Sequence, residues 1–343
     1  MTSVGPIPGG FLEDAEEEAG QHLTTLDGWR QFLTEAPSAP RLRSEGEFAA
    51  LPVAEQELDD EARLDHHARL LVVATSTVRH TVTSGRRLVL LNRHAVSARR
   101  GLIVSGPAGT GKTIAITQLG RSHELLDRAR QPHATGRIPV LYVTVPPAAT
   151  ARMIAAEFAR FLGIPVRRPW NITDIIEAVV GICTDARTGL VLVDELHNIS
   201  LTTRHGSEVA DTLKYFSERI PATFVYAGIN IERTTLLSGT RGAQIAGRFT
   251  LIPTHPFPYG PEWKSLVATL ESTLMLRRQI PGTLTGLDRY LHERTGGMIG
   301  ALSHQIRGAA IDAILSGNEQ ITRESLAAVP LDYTAEKTAA ASQ

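Results

Sequence analysis

Eight consecutive residues constrain this chain more than any others: Gly106-Pro107-Ala108-Gly109-Thr110-Gly111-Lys112-Thr113. The apolar run Gly101-Leu102-Ile103-Val104-Ser105 before them reads as a buried strand, and Ile114-Ala115-Ile116-Thr117-Gln118-Leu119 after them reads as a helix. A glycine-rich strand-to-helix turn with the spacing G-x-x-x-x-G-K-[ST] is a phosphate-binding loop. Its glycines let successive backbone N–H groups converge on phosphate oxygens, and the helix adds its positive end. Lys112 is positioned to reach the β- and γ-phosphates, and the Thr113 hydroxyl to take a place on Mg²⁺. Gly106, Pro107, Ala108, Gly109, Thr110, Gly111, Lys112, Thr113 and Ile114 form the candidate nucleotide-contacting set.

A second site follows some 80 residues on. Leu190-Val191-Leu192-Val193-Asp194-Glu195 has the form of a central parallel strand, apolar on both faces and polar where it emerges. Asp194 can hold Mg²⁺ opposite Thr113, directly or through water. Glu195 is then placed to orient and polarise a water attacking the γ-phosphate, since positioning and charge stabilisation carry most of phosphoryl transfer.

Other strings narrow the branch. A guanine-reading N-K-x-D is absent, and the nearest match to L-S-G-G-Q, Leu237-Ser238-Gly239-Thr240-Arg241, breaks after three residues. Residues 138–145 read as an extra strand between the phosphate loop and the Asp-Glu strand. Residues 222–230 read as the next strand, ending in Asn230, and 249–253 as a fifth. Helices are expected over 112–130, 150–162, 172–186 and 206–219, the alternation of a doubly wound parallel sheet. Helices with no strand between them follow over 261–278, 284–294, 299–316 and 322–329.

This order of loop, Asp-Glu strand, Asn-ending strand and Gly247-Arg248-Phe249 resembles the AAA+ ATPases. More narrowly, Asp194-Glu195-Leu196-His197-Asn198, Ala227-Gly228-Ile229 and Gly247-Arg248-Phe249 resemble the TniB and TnsC group, ATPase partners of DDE transposases. The resemblance spans about residues 65–328. It implies an α/β P-loop NTPase (AAA+) fold, with a central parallel five-stranded sheet flanked by helices and followed by a small helical lid. It also implies ATP and Mg²⁺ as cofactors. Asn230 stands where the sensor-1 residue reads the γ-phosphate or the attacking water. Arg248 stands where an arginine finger enters a neighbouring subunit's site, with Arg241 as the alternative. Gly300, in Thr295-Gly296-Gly297-Met298-Ile299-Gly300, stands where many AAA+ proteins carry the sensor-2 arginine, which Arg294 or Arg307 could replace; this points to slow or partner-dependent hydrolysis. The partners implied are DNA, coated by a homo-oligomeric ring or filament without sequence choice, and a transposase or other DNA-processing protein. A helicase loader and a nucleotide-gated scaffold or signalling switch with little turnover are the alternatives.

Composition frames the rest. Residues 1–62 hold three arginines against fourteen carboxylates, a balance of −11, while the remainder holds 32 basic and 22 acidic residues, +10. Residues 1–62 therefore read as an acidic, largely disordered arm, with a short helix over 23–34. Leu26, Trp29, Phe32 and Leu33 on that helix could form a docking face or pack on their own ATPase body. The core is expected over 63–258, the lid over 259–330 and a flexible tail over 331–343. Arg79, Arg86, Arg87, Arg93, Arg99 and Arg100 crowd the approach to the first core strand, where they could engage DNA phosphates or form a solvated face. His197 reads as a structural residue beside the carboxylates. The single Cys183 excludes an intramolecular disulfide. Neither a membrane span nor a signal peptide is legible, giving a cytoplasmic expectation with no membrane partner.

Overall fold

The computed structural model describes residues 22–35, 38–167, 169–199, 204–233 and 247–331. Five strands, β1 (Gly101–Gly106), β2 (Val140–Thr144), β3 (Leu190–Asp194), β4 (Thr223–Ile229) and β5 (Phe249–Pro253), form one sheet in the order β2-β3-β4-β1-β5. All four pairings are parallel, with Leu102 opposite Val225 on one side and Thr250 on the other. Every residue of β1 and β3 is buried, as helices on both faces require. Parallel strands align their carboxyl ends, so the phosphate loop after β1, Glu195 after β3 and Asn230 after β4 emerge along one edge.

Helices α4 (Ser76–Asn92), α5 (Lys112–Arg130), α6 (Ala151–Phe161), α7 (Ile172–Asp185) and α8 (Arg204–Arg219) surround the sheet. Their starts are encoded locally. Thr75 and Thr150 accept hydrogen bonds from Val78 N and Met153 N, and Asn171 with Asp174 makes a capping box. Gly85 lets α4 lie close on α5, since a Cβ there would fall 2.3 Å from Leu119 Cδ2.

The acidic segment departs from its expectation. Residues 22–62 are largely ordered, in α1 (Leu26–Thr34), α2 (Glu45–Ala49) and most of α3 (Val53–Ala68). The reading failed because it counted carboxylates as solvated, whereas Asp59 is buried and paired. Helix α1 packs on its own body rather than presenting a free face. Trp29 is 0% exposed, its Nε1 donates to Glu124 Oε2 at 2.6 Å, and its ring stacks on Tyr142 at 6.0 Å. Residues 1–21 and 332–343, with nearly all of the expected tail, lie outside the described residues.

Beyond β5 come α9 (Pro261–Glu271), α10 (Thr283–Gly286), α11 (Asp288–Thr295), α12 (Ile299–Leu315) and α13 (Arg323–Ala328). Trp263, Leu266, Leu291, Leu302 and Leu326 share one apolar cluster here, and Leu64 of α3 packs against it. The helix expected over 261–278 stops at Glu271, where the Ser272 and Thr273 hydroxyls donate to Thr269 O and Leu270 O. The helix expected over 284–294 splits, with Glu271 accepting from Leu284 N and Thr285 N at the start of α10.

A buried ion network ties α3 to this helical body. Arg63, 0% exposed, donates both Nη atoms to Glu319 at 2.8 Å and one of them also to Met275 O. Arg277 joins the same Glu319 together with Asp59 and Asp60, and its guanidinium lies 3.4 Å from the Phe48 ring centroid. Every carboxylate in the group faces a guanidinium, the condition under which buried charge is tolerated.

Beside the network lies a group sensitive to acid. His67 is buried with Nε2 accepting from Met275 N, and burial, then His66, Arg63 and Arg307, hold its pKa down to about 4. An unfolded histidine titrates near 6.5, so its neutral form contributes stability above that pH and loses it as pH falls toward about 4. The melting temperature is expected to drop across this window, by the equivalent of about 3 kcal/mol. A His67→Gln variant should show a shallower drop in the same acid series; an equal drop in both proteins would rule His67 out as the source.

Candidate nucleotide-binding site

The loop from Gly106 to Thr113 is shaped by its glycines. Gly109 and Gly111 have φ of +73° and +84°, backbone that favours glycine, and Gly111 directly precedes α5. At Gly106 a Cβ would fall 2.1 Å from Thr254 O, because the chain after β5 crosses close to the loop. Thr254 fixes that crossing, donating from its N–H to Ser105 O at 2.6 Å and sharing a 2.7 Å hydrogen bond with the Thr110 hydroxyl. Lys112 is buried and donates to Pro107 O at 2.5 Å. Burial lowers its pKa, while the Asp194 and Glu195 carboxylates oppose that shift.

The carboxylates sit where β3 ends. Asp194 is 2% exposed and accepts from Glu195 N at 2.8 Å and from the Tyr142 hydroxyl at 3.1 Å. Burial foremost, then the Asp194 charge, push the Tyr142 pKa well up, so the phenol keeps the proton it donates. Glu195 turns the chain with φ of +56°, and Asn230 has φ of +45° at the end of β4. Two non-glycine residues in the left-handed region on one edge cost of order 1 kcal/mol each and mark it as an imposed geometry. Between these strands stands His197. Its Nδ1 accepts from Ile229 N at 3.3 Å, which leaves the hydrogen on Nε2, 3.2 Å from Glu195 Oε2. Gly228 makes room, since a Cβ there would fall 3.0 Å from His197 N.

These elements enclose a cavity of about 300 Å³. Ala108 through Ile114 and Glu195 form its polar wall, so Lys112, Thr113 and Glu195 share one space with Asp194 adjoining. The opposite wall is apolar and includes Leu70, Leu71, Val72, Val73 and Leu270. Sequence reasoning overlooked this wall and Tyr142. The run Leu70-Leu71-Val72-Val73 carried a signal, four apolar residues in a connection with nothing local to cover them.

Other expected residues lie elsewhere. Asn230 meets the loop through its backbone, its N–H donating to Gly106 O at 3.4 Å. Gly300 adjoins the loop directly, its N–H donating to Gly109 O at 3.0 Å, and a Cβ would lie 3.3 Å from that oxygen. Neither arginine suggested as its substitute lines the cavity. Arg307 binds His67 O and Ala68 O, and Arg294 reaches Ala327 O and Val329 O. Arg248 immediately precedes β5, at the far end of the sheet from this chain's own loop, with Nη1 3.9 Å from Glu218 Oε1. Arg241 lies outside the described residues.

Solved structures share this architecture. The Aeropyrum pernix ORC1 protein in complex with DNA superposes with a TM-score of 0.55 at 16% identity, covering 78% of this chain and 65% of that one. The Aeropyrum pernix ORC2 protein in its ADP form gives a TM-score of 0.59 at 17% identity, covering 80% and 72%. The ORC2 ADPNP-ADP complexes give 0.56 at 17%, covering 75% and 67%. The chain thus spans 65% of the length of ORC1, and at these identities the likeness is one of fold: the AAA+ form of the P-loop α/β architecture. No curated protein matches the sequence. The profile of the bacterial TniB protein matches residues 80–259, from α4 through β5 and into the start of the helical body. That match spans more than half of the 343 residues and includes the loop, both carboxylates and the end of β4, so the chain belongs to the TniB family.

Proposed function

We propose that this chain binds ATP with Mg²⁺ at the carboxyl edge of its sheet and hydrolyses it. In this reading the cycle serves transposition: an oligomer assembles on DNA and recruits or activates a DDE transposase. The supporting observation is the convergence of Lys112, Thr113 and Glu195 on one cavity beside the buried Asp194, in a TniB family chain. The residues suit the group. Gly109 and Gly111 leave no side chain between loop N–H groups and the cavity, and the apolar wall suits a purine. Thr113 and Asp194 are the hard oxygen donors that Mg²⁺ prefers.

Each side chain then has a distinct task. Loop N–H groups and Lys112 hold the β- and γ-phosphates, and Thr113 and Asp194 hold the metal ion. When bound, that ion neutralises charge on the phosphate oxygens. Glu195, aligned by His197, orients the attacking water, and Asn230 reads the γ-phosphate from the end of β4. Arg248 acts on the site of a neighbouring subunit, which accords with its distance from its own loop. A second reading, a nucleotide-gated switch with slow turnover, draws support from Gly300 lying against Gly109 with no arginine lining the cavity among the described residues.

Subunit mixing tests the proposal. Phosphate release is measured with and without duplex DNA for the wild type, Arg248→Ala, Lys112→Ala and an equal mixture of the two variants. Each variant alone should be nearly inactive, and the mixture should recover DNA-stimulated release, because a Lys112→Ala subunit still supplies Arg248 to its neighbour. An arginine finger is worth roughly 10³–10⁵ in rate. A mixture as inactive as its components would remove the trans role of Arg248. Wild-type release indifferent to DNA would remove the transposition reading and leave the switch.

A further inference from the structure

At the amino ends of the strands, opposite the nucleotide cavity, lies a second concavity of about 420 Å³. Six arginines line it: Arg86 of α4, Arg93 and Arg99 from the turn after α4, Arg130 at the end of α5, Arg137 before β2 and Arg187 between α7 and β3. The only carboxylate in its lining is Asp127, and that is taken up by Arg137 in a two-pronged pair at 2.8 Å. The other five arginines form no ion pair with any described carboxylate, so five positive charges share one recess. Like charges gathered this way repel one another, and the repulsion is relieved when an anion enters.

The backbone that carries part of the recess is tied down by the fold. Asn92 donates to Arg100 O and to Thr223 Oγ1 and accepts from Arg100 N, closing the turn that carries Arg93 and Arg99. Gly189 and Thr223, at the starts of β3 and β4, form its floor. Arg99 also lines an adjoining recess with Arg100, Lys214 and Arg248, so the basic tract continues toward the proposed trans finger. Its six guanidiniums come from four stretches of chain, too dispersed for a single phosphate group and suited to an extended polyanion.

We propose that this arginine recess is a binding site for the phosphodiester backbone of duplex DNA, contacting phosphates without reading bases. The proposal rests on the reading that the protein acts on DNA. It adds Arg130 and Arg187 to the arginines legible along α4. DNA and nucleotide then occupy opposite ends of the same strands, roughly 17 Å apart along β1, so both bind together.

The test compares the wild type with an Arg93→Gln, Arg130→Gln, Arg187→Asn variant; Asn tolerates the left-handed backbone of Arg187, φ +57°. Binding of a mixed-sequence duplex is followed by fluorescence anisotropy across a salt series, with affinity for a fluorescent ATP analogue as the folding control. Each lost phosphate contact removes about 0.9 from the slope of log K against log salt. The triple variant should lose about 2 to 3 in slope and at least about 10-fold in affinity at low salt, with nucleotide affinity unchanged. Should the triple variant fail to fold, Arg130→Gln alone, on an exposed last turn, should lose about 0.9. A wild type that binds DNA and variants that keep its slope would overturn the recess while leaving the DNA reading intact. A wild type that fails to bind DNA at low salt would overturn both. Tripolyphosphate raising the melting temperature of the wild type but not the variant, with DNA slopes equal, would make the recess a small-anion site and overturn the proposal.

Discussion

Replacing Glu195 with Gln is expected to slow phosphate release by roughly 10²–10⁴-fold, the usual contribution of a positioned general base, while ATP binding persists. The substitution keeps the size of the side chain and an oxygen that can face His197 Nε2, 3.2 Å away in the native protein. What it removes is the negative charge that polarises water. Lys112 loses one of the two carboxylates that counter its burial, so nucleotide affinity should stay level or change only modestly. Changing His197 to Ala separates positioning from chemistry. Glu195 would keep its charge but lose its orienting partner, and the Ile229 N–H its acceptor. The loss should therefore be smaller than for Glu195→Gln, with a similar pH profile. Single-turnover release together with equilibrium binding of a fluorescent nucleotide separates the two effects. If Glu195→Gln released phosphate at the wild-type rate, Glu195 would not be the water-orienting residue.

The second large effect is expected far from the cavity. Trp29→Ala should lower stability by about 3–5 kcal/mol, the cost of emptying a fully packed aromatic site. Trp29 fills the space above Gly120, where a Cβ would fall 2.7 Å from the indole, and it lies on Tyr142. Its loss also strips a buried hydrogen bond from Glu124, leaving that carboxylate with Arg128. For a chain of this length the melting temperature should fall by roughly 4–7 °C. Trp29→Phe, which keeps an aromatic ring but not the N–H, should fall less. Because the same Tyr142 donates to Asp194, the Ala variant should also need more Mg²⁺ for tight nucleotide binding. A shift below about 2 °C would mean that α1 contributes little beyond its own order.

What could be read in the sequence was what is encoded locally. Strand β5 falls at 249–253 as expected, and β2 and β4 differ from expectation by one or two residues at their ends, because buried parallel strands are continuous apolar runs between polar breaks. The loop motif and the Asp-Glu pair were legible for the same reason, each being a contiguous string beside such a strand. Pairings across long separations were not. Trp29 meets Glu124 across 95 residues, and Arg63 meets Glu319 across 256. Nothing local to a carboxylate says that an arginine awaits it, so an ordered acidic segment was taken for a solvated one. Tyr142 was hidden differently: within an apolar strand it looks like core, and only the sheet register brings its hydroxyl to Asp194.

The ion network around Arg63 has a mechanical consequence. Helix α1 is anchored on the sheet through Trp29, while α3 is anchored on the helical body beyond β5 through Glu319 and Arg277. Ten residues separate the last residue of α1, Thr34, from the first of α2, Glu45. A chain that short reaches at most about 35 Å when drawn taut. The amino-terminal segment is therefore a tether of limited length between the two parts that line the candidate nucleotide cavity. It caps how far they can swing apart, and a ligand that pried α1 loose would remove that cap.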